Sequence, residues 1–161
     1  MTVDTNLKVV FMGTPAFALP TLQALINHPE IQVLGVLTQP DRPSGRGQKL
    51  QPPPVKELAL QHQLPVLQPE RLRKDEAVLA WLKEQRADFF VTAAFGQILP
   101  QSVLDMPRYG VVNIHGSLLP KYRGANPVQW SILNNETMMG ITTMLTALEV
   151  DAGDMLLSRA I

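Results

Sequence analysis

The chain has 161 residues, 45% hydrophobic and 17% charged, which suits one globular domain with a proper core and excludes wholesale disorder. Lys and Arg number 14 against 14 Asp and Glu, which excludes a strongly basic protein that coats nucleic acid while leaving a local basic patch open. Cysteine is absent, which removes disulfides, Cys-ligated zinc, iron–sulfur clusters and a Cys nucleophile together.

Residues 1–8 carry no basic-then-apolar signal pattern. Residues 7–12 read as a short buried strand, which Gly13-Thr14-Pro15 breaks. Ala18, Leu22, Leu25 and Ile26 then fall on one helical face, and Asn27-His28-Pro29 stops the helix. Residues 31–37 form a second strand, so the opening is a right-handed βαβ crossover and implies a parallel sheet. Gly13 lacks the companions of a G-x-G-x-x-G loop, which leaves a tight strand-to-helix turn as its better reading.

Residues 39–54 differ in kind. Five prolines, Gly45, Gly47 and the basic Arg42, Arg46 and Lys49 predict a long exposed loop with neither ladder nor helix. Beyond it, Val55, Leu58 and Ala59 open a helix, residues 64–67 form a short strand, and Val78, Leu79 and Leu82 mark another helix. Residues 88–93 are a buried strand and residues 110–115 are again a strand, Pro127 opens a helix reaching Leu133, and residues 141–145 and 155–157 are two final strands. The fold class expected is α/β: an open, mostly parallel, Rossmann-like sheet with helices on both faces and ligands at the carboxyl ends of its strands. No apolar run is long enough to span a bilayer, and a cysteine-free chain fits a reducing compartment, so a soluble cytoplasmic domain is expected.

Among titratable residues, His28 and His62 stand at helix ends and read as surface or capping groups, and no histidine pair has the spacing of a zinc helix. His115 differs, because it ends a strand two residues after Asn113, so amide and imidazole share one face where such a sheet opens to a ligand. That pair can stabilise a developing oxyanion and carry a proton, or simply be a satisfied polar pair at a strand end. A carboxylate beside His115 would orient the ring and favour its charged form. The acidic turn at residues 148–154 supplies Glu149, Asp151 and Asp154, and spacing does not choose among them.

Asn113-Ile114-His115-Gly116-Ser117-Leu118-Leu119-Pro120, continuing through Arg123-Gly124-Ala125, resembles the signature of 10-formyltetrahydrofolate-dependent formyltransferases, and residues 148–154 look like that family's second motif. Met12-Gly13-Thr14-Pro15, residues 38–43, Gly45-Arg46-Gly47, residues 65–69 and residues 95–100 are similar to the branch that acts on initiator methionyl-tRNA. The likeness runs from about Leu7 to the last residues and departs at Ala16, Ala152 and Asn126.

The resemblance implies a transferase of translation initiation that draws on one-carbon metabolism, moving a formyl group from 10-formyltetrahydrofolate to the α-amine of methionyl-tRNA as a monomer without a metal. Asn113, His115 and Asp151 match the catalytic Asn, His and Asp. Ser117, Leu118, Leu119 and Pro120 match the tetrahydrofolate-binding stretch. Arg42, Arg46 and Lys49 match the basic loop that meets initiator tRNA, with Arg46 the foremost contact. Residues 1–161 would be the N-terminal part of the catalytic domain, without the family's C-terminal barrel domain. Two other readings stay open: a formyl-folate enzyme acting on a small amine, and a folate-binding fragment without turnover.

Overall fold

The computed structural model describes residues 6–161, so residues 1–5 of the N-terminal stretch read for a signal pattern lie outside the described residues. A seven-stranded sheet organises the chain. Its strands are β1 (Leu7–Gly13), β2 (Ile31–Leu37), β5 (Val66–Leu67), β6 (Phe89–Ala93), β7 (Val111–His115), β8 (Gly140–Leu145) and β9 (Met155–Ala160). They lie in the order β5-β2-β1-β6-β7-β8-β9. The five strands from β5 to β7 pair in parallel, while β8 and β9 add an antiparallel edge. Winding runs outward from β1 through β2 to β5, then restarts on the other side with β6 and β7. The point of reversal lies between β1 and β6, and their carboxyl ends diverge into a crevice there.

Alternation along β1 divides the core. Val10 and Met12 face one layer with Val78 and Leu82 of α3 (Glu76–Glu84) and Val103 and Leu104 of α4 (Gln101–Leu104). Val9 and Phe11 face the other, with Leu22 of α1 (Leu19–Asn27) and Val55 and Ala59 of α2 (Pro54–Gln61). Helices therefore cover both faces, as the sequence implies. The Asp75 carboxylate caps α3 by accepting from the Val78 N–H at 3.1 Å. Pro127 opens α5 (Pro127–Leu133), where its missing N–H costs nothing. His28 and His62 are the C-caps of α1 and α2, in keeping with a capping role. The single turn α4 carries no sequence pattern of its own, because four residues are too few to show a period.

Residues 39–54 correct the expectation of an unladdered loop. They contain an antiparallel hairpin, β3 (Arg42–Ser44) against β4 (Lys49–Gln51), with Pro43 opposite Leu50. A two-stranded ribbon is all edge, so a proline there can turn its missing donor outward and break no ladder. Gly45 and Gly47, at φ of 72° and 85°, supply the left-handed turn between the strands.

Gly13 closes β1 for a packing reason. A Cβ there would lie 2.8 Å from the Ala93 carbonyl oxygen and 2.8 Å from Phe11 Cε1. Gly13→Ala should therefore lower stability by about 1–3 kcal/mol through overpacking, measured as a shift of the denaturant midpoint at unchanged m-value. An unshifted midpoint would show that β1 and β6 have slack at the crevice.

Candidate active site

A cleft of about 820 Å³ opens at the carboxyl ends of β1, β6 and β7. Its walls include Phe17, Phe95, Ile98, Leu99, Val128 and Leu148, so the lining is largely apolar, as in small-molecule sites. Asn113, His115 and Asp151 all reach it. The two strand residues share a face by the alternation of β7, while Asp151 comes from the turn between β8 and β9.

Each of the three is held by specific partners. Parallel register sets Thr92 of β6 beside Asn113, and the Thr92 hydroxyl donates to Asn113 Oδ1 at 2.8 Å. The amide oxygen is thus engaged, and no donation by Asn113 Nδ2 is made among the described residues. His115 is buried, with Nδ1 3.6 Å from Asp151 Oδ2. Its Nε2 lies 2.7 Å from the Tyr122 carbonyl oxygen, which can only accept, so Nε2 carries a proton in this contact. The Asp151 Oδ2 also accepts from the Gly124 N–H at 2.6 Å, joining the acidic turn to the polar loop at residues 121–125.

Two turns place these groups. Asp151 adopts φ 50°, a left-handed conformation that aspartate tolerates better than most residues. Gly153 follows where a Cβ would run into the Leu145 carbonyl, so the turn folds back tightly onto β8. Glu149 and Asp154 stand exposed, and the choice that spacing left open falls geometrically on Asp151. Tyr122, at φ 58°, is fixed at its other end by its hydroxyl, which donates to Glu136 Oε1 at 2.7 Å. That bond and the Lys121 ammonium hold the Glu136 carboxyl below the usual carboxylate range.

The remaining expected residues lie elsewhere. Ser117 is buried and donates to the Lys121 carbonyl at 2.6 Å, while Leu118 and Pro120 line a smaller cavity of about 290 Å³. Ser117, Leu118, Leu119 and Pro120 are thus not among the residues that wall the larger cleft. Arg42, Arg46 and Lys49 sit exposed on the hairpin, and no ion pair among the described residues engages them. Two site features had gone unmarked in the sequence. One is the register contact of Thr92. The other is Thr146, a cleft residue whose buried hydroxyl has no partner among the described residues. Neither shows a pattern along the chain, since each depends on what a neighbouring element leaves open. Among the described residues, no cluster of three or more His, Asp or Glu could hold a metal, and no helix is long and apolar enough to cross a membrane.

Residues 7–161 match the family described as formyl transferase. A methionyl-tRNA formyltransferase of Synechocystis sp. is 59% identical over 151 residues, covering 94% of this chain and 46% of the relative. One of Geobacter sulfurreducens is 57% identical over 156 residues, covering 97% of this chain and 49% of the relative. The chain therefore spans about half the length of the curated relatives it matches. Among solved structures, glycinamide ribonucleotide transformylase 1 from Symbiobacterium toebii superposes with a TM-score of 0.77 at 17% identity, over 98% of this chain and 74% of that one. Phosphoribosylglycinamide formyltransferase from Bacillus halodurans gives 0.72 at 24% identity, over 96% and 79%. At such identities the structural likeness shows a shared fold.

Proposed function

This chain belongs to the formyl transferase family, and from that premise we propose that it transfers a formyl group from 10-formyltetrahydrofolate to the α-amine of initiator methionyl-tRNA. The observation that carries the reading is the convergence of Asn113, His115 and Asp151 on one cleft at the sheet's point of reversal. The relatives at 57–59% identity, all named for this activity, supply the acceptor. The cleft suits a flat heteroaromatic co-substrate, having largely apolar walls with a few polar groups among them.

The co-substrate supplies the formyl carbon, bonded to a nitrogen that leaves. The acceptor's neutral amine attacks that carbon, the new C–N bond forms, and negative charge gathers on the formyl oxygen. Asn113, with its oxygen tied to Thr92, turns Nδ2–H toward that charge. The Tyr122 carbonyl oxygen on His115 Nε2 marks the kind of oxygen this N–H holds, and the same N–H serves the oxyanion once the loop carbonyl yields. Asp151 keeps the ring in place from the opposite nitrogen and helps carry the amine's proton, through water, toward the departing nitrogen. No covalent enzyme intermediate and no metal is required by this scheme. The assignment of Ser117, Leu118, Leu119 and Pro120 to the co-substrate is carried by the resemblance, and of Arg42, Arg46 and Lys49 to the tRNA by the resemblance together with their exposed positive charge.

Turnover with methionyl-tRNA, turnover with a small amine such as glycinamide ribonucleotide, and folate binding measured side by side test the proposal. Formylation of the charged tRNA is the expected result. Formylation of the small amine alone, or folate binding without turnover, would replace the proposal by one of its two rivals. For the hairpin, Arg46→Ala should weaken tRNA binding and shallow its salt dependence by about one unit of slope. Folate affinity should hold. An unchanged tRNA slope with lost folate binding would move the hairpin's role to the co-substrate.

A further inference from the structure

Among the described residues, the side-chain hydrogen bonds of the cationic hairpin to the rest of the protein are confined to its root, where Arg42 Nη2 donates to Gln39 Oε1 at 3.4 Å. Every residue from Arg42 to Gln51 is exposed, and Cβ atoms added at Gly45 and Gly47 would meet open space. Its direction must therefore be set at its root. There the Asp41 carboxylate accepts from Lys56 Nζ on both oxygens at 3.0 Å and from Gln68 Nε2 at 2.7 Å. Lys56 belongs to α2 and Gln68 follows β5, so one side chain ties the hairpin to two parts of the body.

A second set of bonds continues from the root to the cleft wall. Gln68 Nε2 also donates to the Gln39 carbonyl at 3.1 Å. The Gln39 N–H donates to Thr14 Oγ1 at 3.2 Å, and that hydroxyl donates to the Phe95 carbonyl at 3.0 Å. Phe95 lines the cleft. We propose that Asp41 is a positioning residue, which through Lys56 and Gln68 fixes the bearing of the hairpin's cations relative to the cleft for a phosphate-rich acceptor. This rests on the reading that the hairpin meets tRNA. Hydrogen bonding from Gln68, foremost, and from Lys56 holds the Asp41 carboxyl below the ordinary carboxylate range, so the anchor is charged at neutral pH.

The inference has a sign that separates it from simple electrostatics. Asp41→Ala deletes a negative charge next to Arg42 and releases the Lys56 ammonium. By Coulomb's law alone, a polyanion should then bind more tightly. Loss of the anchor acts the other way. In the native protein, Asp41→Ala should raise KM for methionyl-tRNA about tenfold, with kcat at saturation changed far less, as expected when orientation is lost outside the reacting centre. Gln68→Met removes one arm of the anchor, leaving Lys56 on Asp41, without altering charge, and should raise KM in the same direction by a smaller factor. Folate affinity serves as the check that each variant is folded. A KM that stays level or falls in Asp41→Ala, or stays level in Gln68→Met, overturns the anchor. If Arg46→Ala also leaves tRNA binding unmoved, the tRNA reading of the hairpin fails. If Arg46→Ala weakens binding while the root variants do not, the anchor alone fails.

Discussion

His115→Ala in the native protein is expected to lower kcat by about 10²–10³-fold, the scale of losing one preorganised oxyanion donor. The imidazole ends β7, where its removal leaves the strand's ladder in place, because backbone groups make the pairing with β6 and β8. Its two ring nitrogens face an Asp151 oxygen and the Tyr122 carbonyl oxygen. Deleting the ring strips both oxygens of that partner, yet Asp151 keeps the Gly124 N–H and Tyr122 keeps its hydroxyl bond to Glu136. The polar loop thus retains two of its ties, and cooperative unfolding should survive at a modestly lower midpoint. A donor that acts in the transition state should reduce kcat and kcat/KM together while barely moving KM. Near-normal kcat in a folded His115→Ala protein would return His115 to the role of a satisfied polar pair at a strand end. That was the competing reading of its spacing.

The parts legible in the sequence are those with a period. β2 appears at residues 31–37 as expected, α1 and β7 appear where their apolar patterns put them, and β6 is a run of buried residues. Asn113 and His115 were legible for the same reason, since two-residue alternation places them on one face. The hairpin was not, because its prolines and glycines read as punctuation, and only the pairing of two exposed edges makes them a ribbon. Selection of Asp151 over Glu149 and Asp154 needed the family motif. In the structure it depends on a left-handed residue and on Gly153 lying against β8. The contacts of Thr92 with Asn113 and of His115 with Tyr122 depend on register and on the path of a loop, neither of which leaves a local trace.

Asp151→Asn should be the more informative of the two large losses, with kcat falling by about 10²–10⁴-fold, the span from a supporting carboxylate to one that fixes a catalytic imidazole. Asparagine is close in shape and accepts φ 50° at least as readily as aspartate, so the acidic turn need not rearrange. Its Oδ1 can still accept from the Gly124 N–H, which now lies 2.6 Å from the carboxylate. The same oxygen faces His115, so what changes there is its charge. An anion 3.6 Å from Nδ1 is replaced by a neutral amide, and the ring loses the charge that helps fix its plane. The side chain is 11% exposed, so water is poorly placed to substitute for the missing charge. Asp151→Ala would confound this, since alanine loses the Gly124 bond and suits a left-handed backbone poorly. The comparison to make is therefore kcat for Asp151→Asn and Asp151→Ala against unfolding midpoints for both. The expected pattern is a comparable loss of kcat in the two, with a larger loss of stability in the alanine variant. If Asp151→Asn retains near-normal kcat while Asp151→Ala loses both kcat and stability, the carboxylate serves the loop through Gly124 and not the imidazole. The roles assigned to Asn113 and His115 would then have to stand without it.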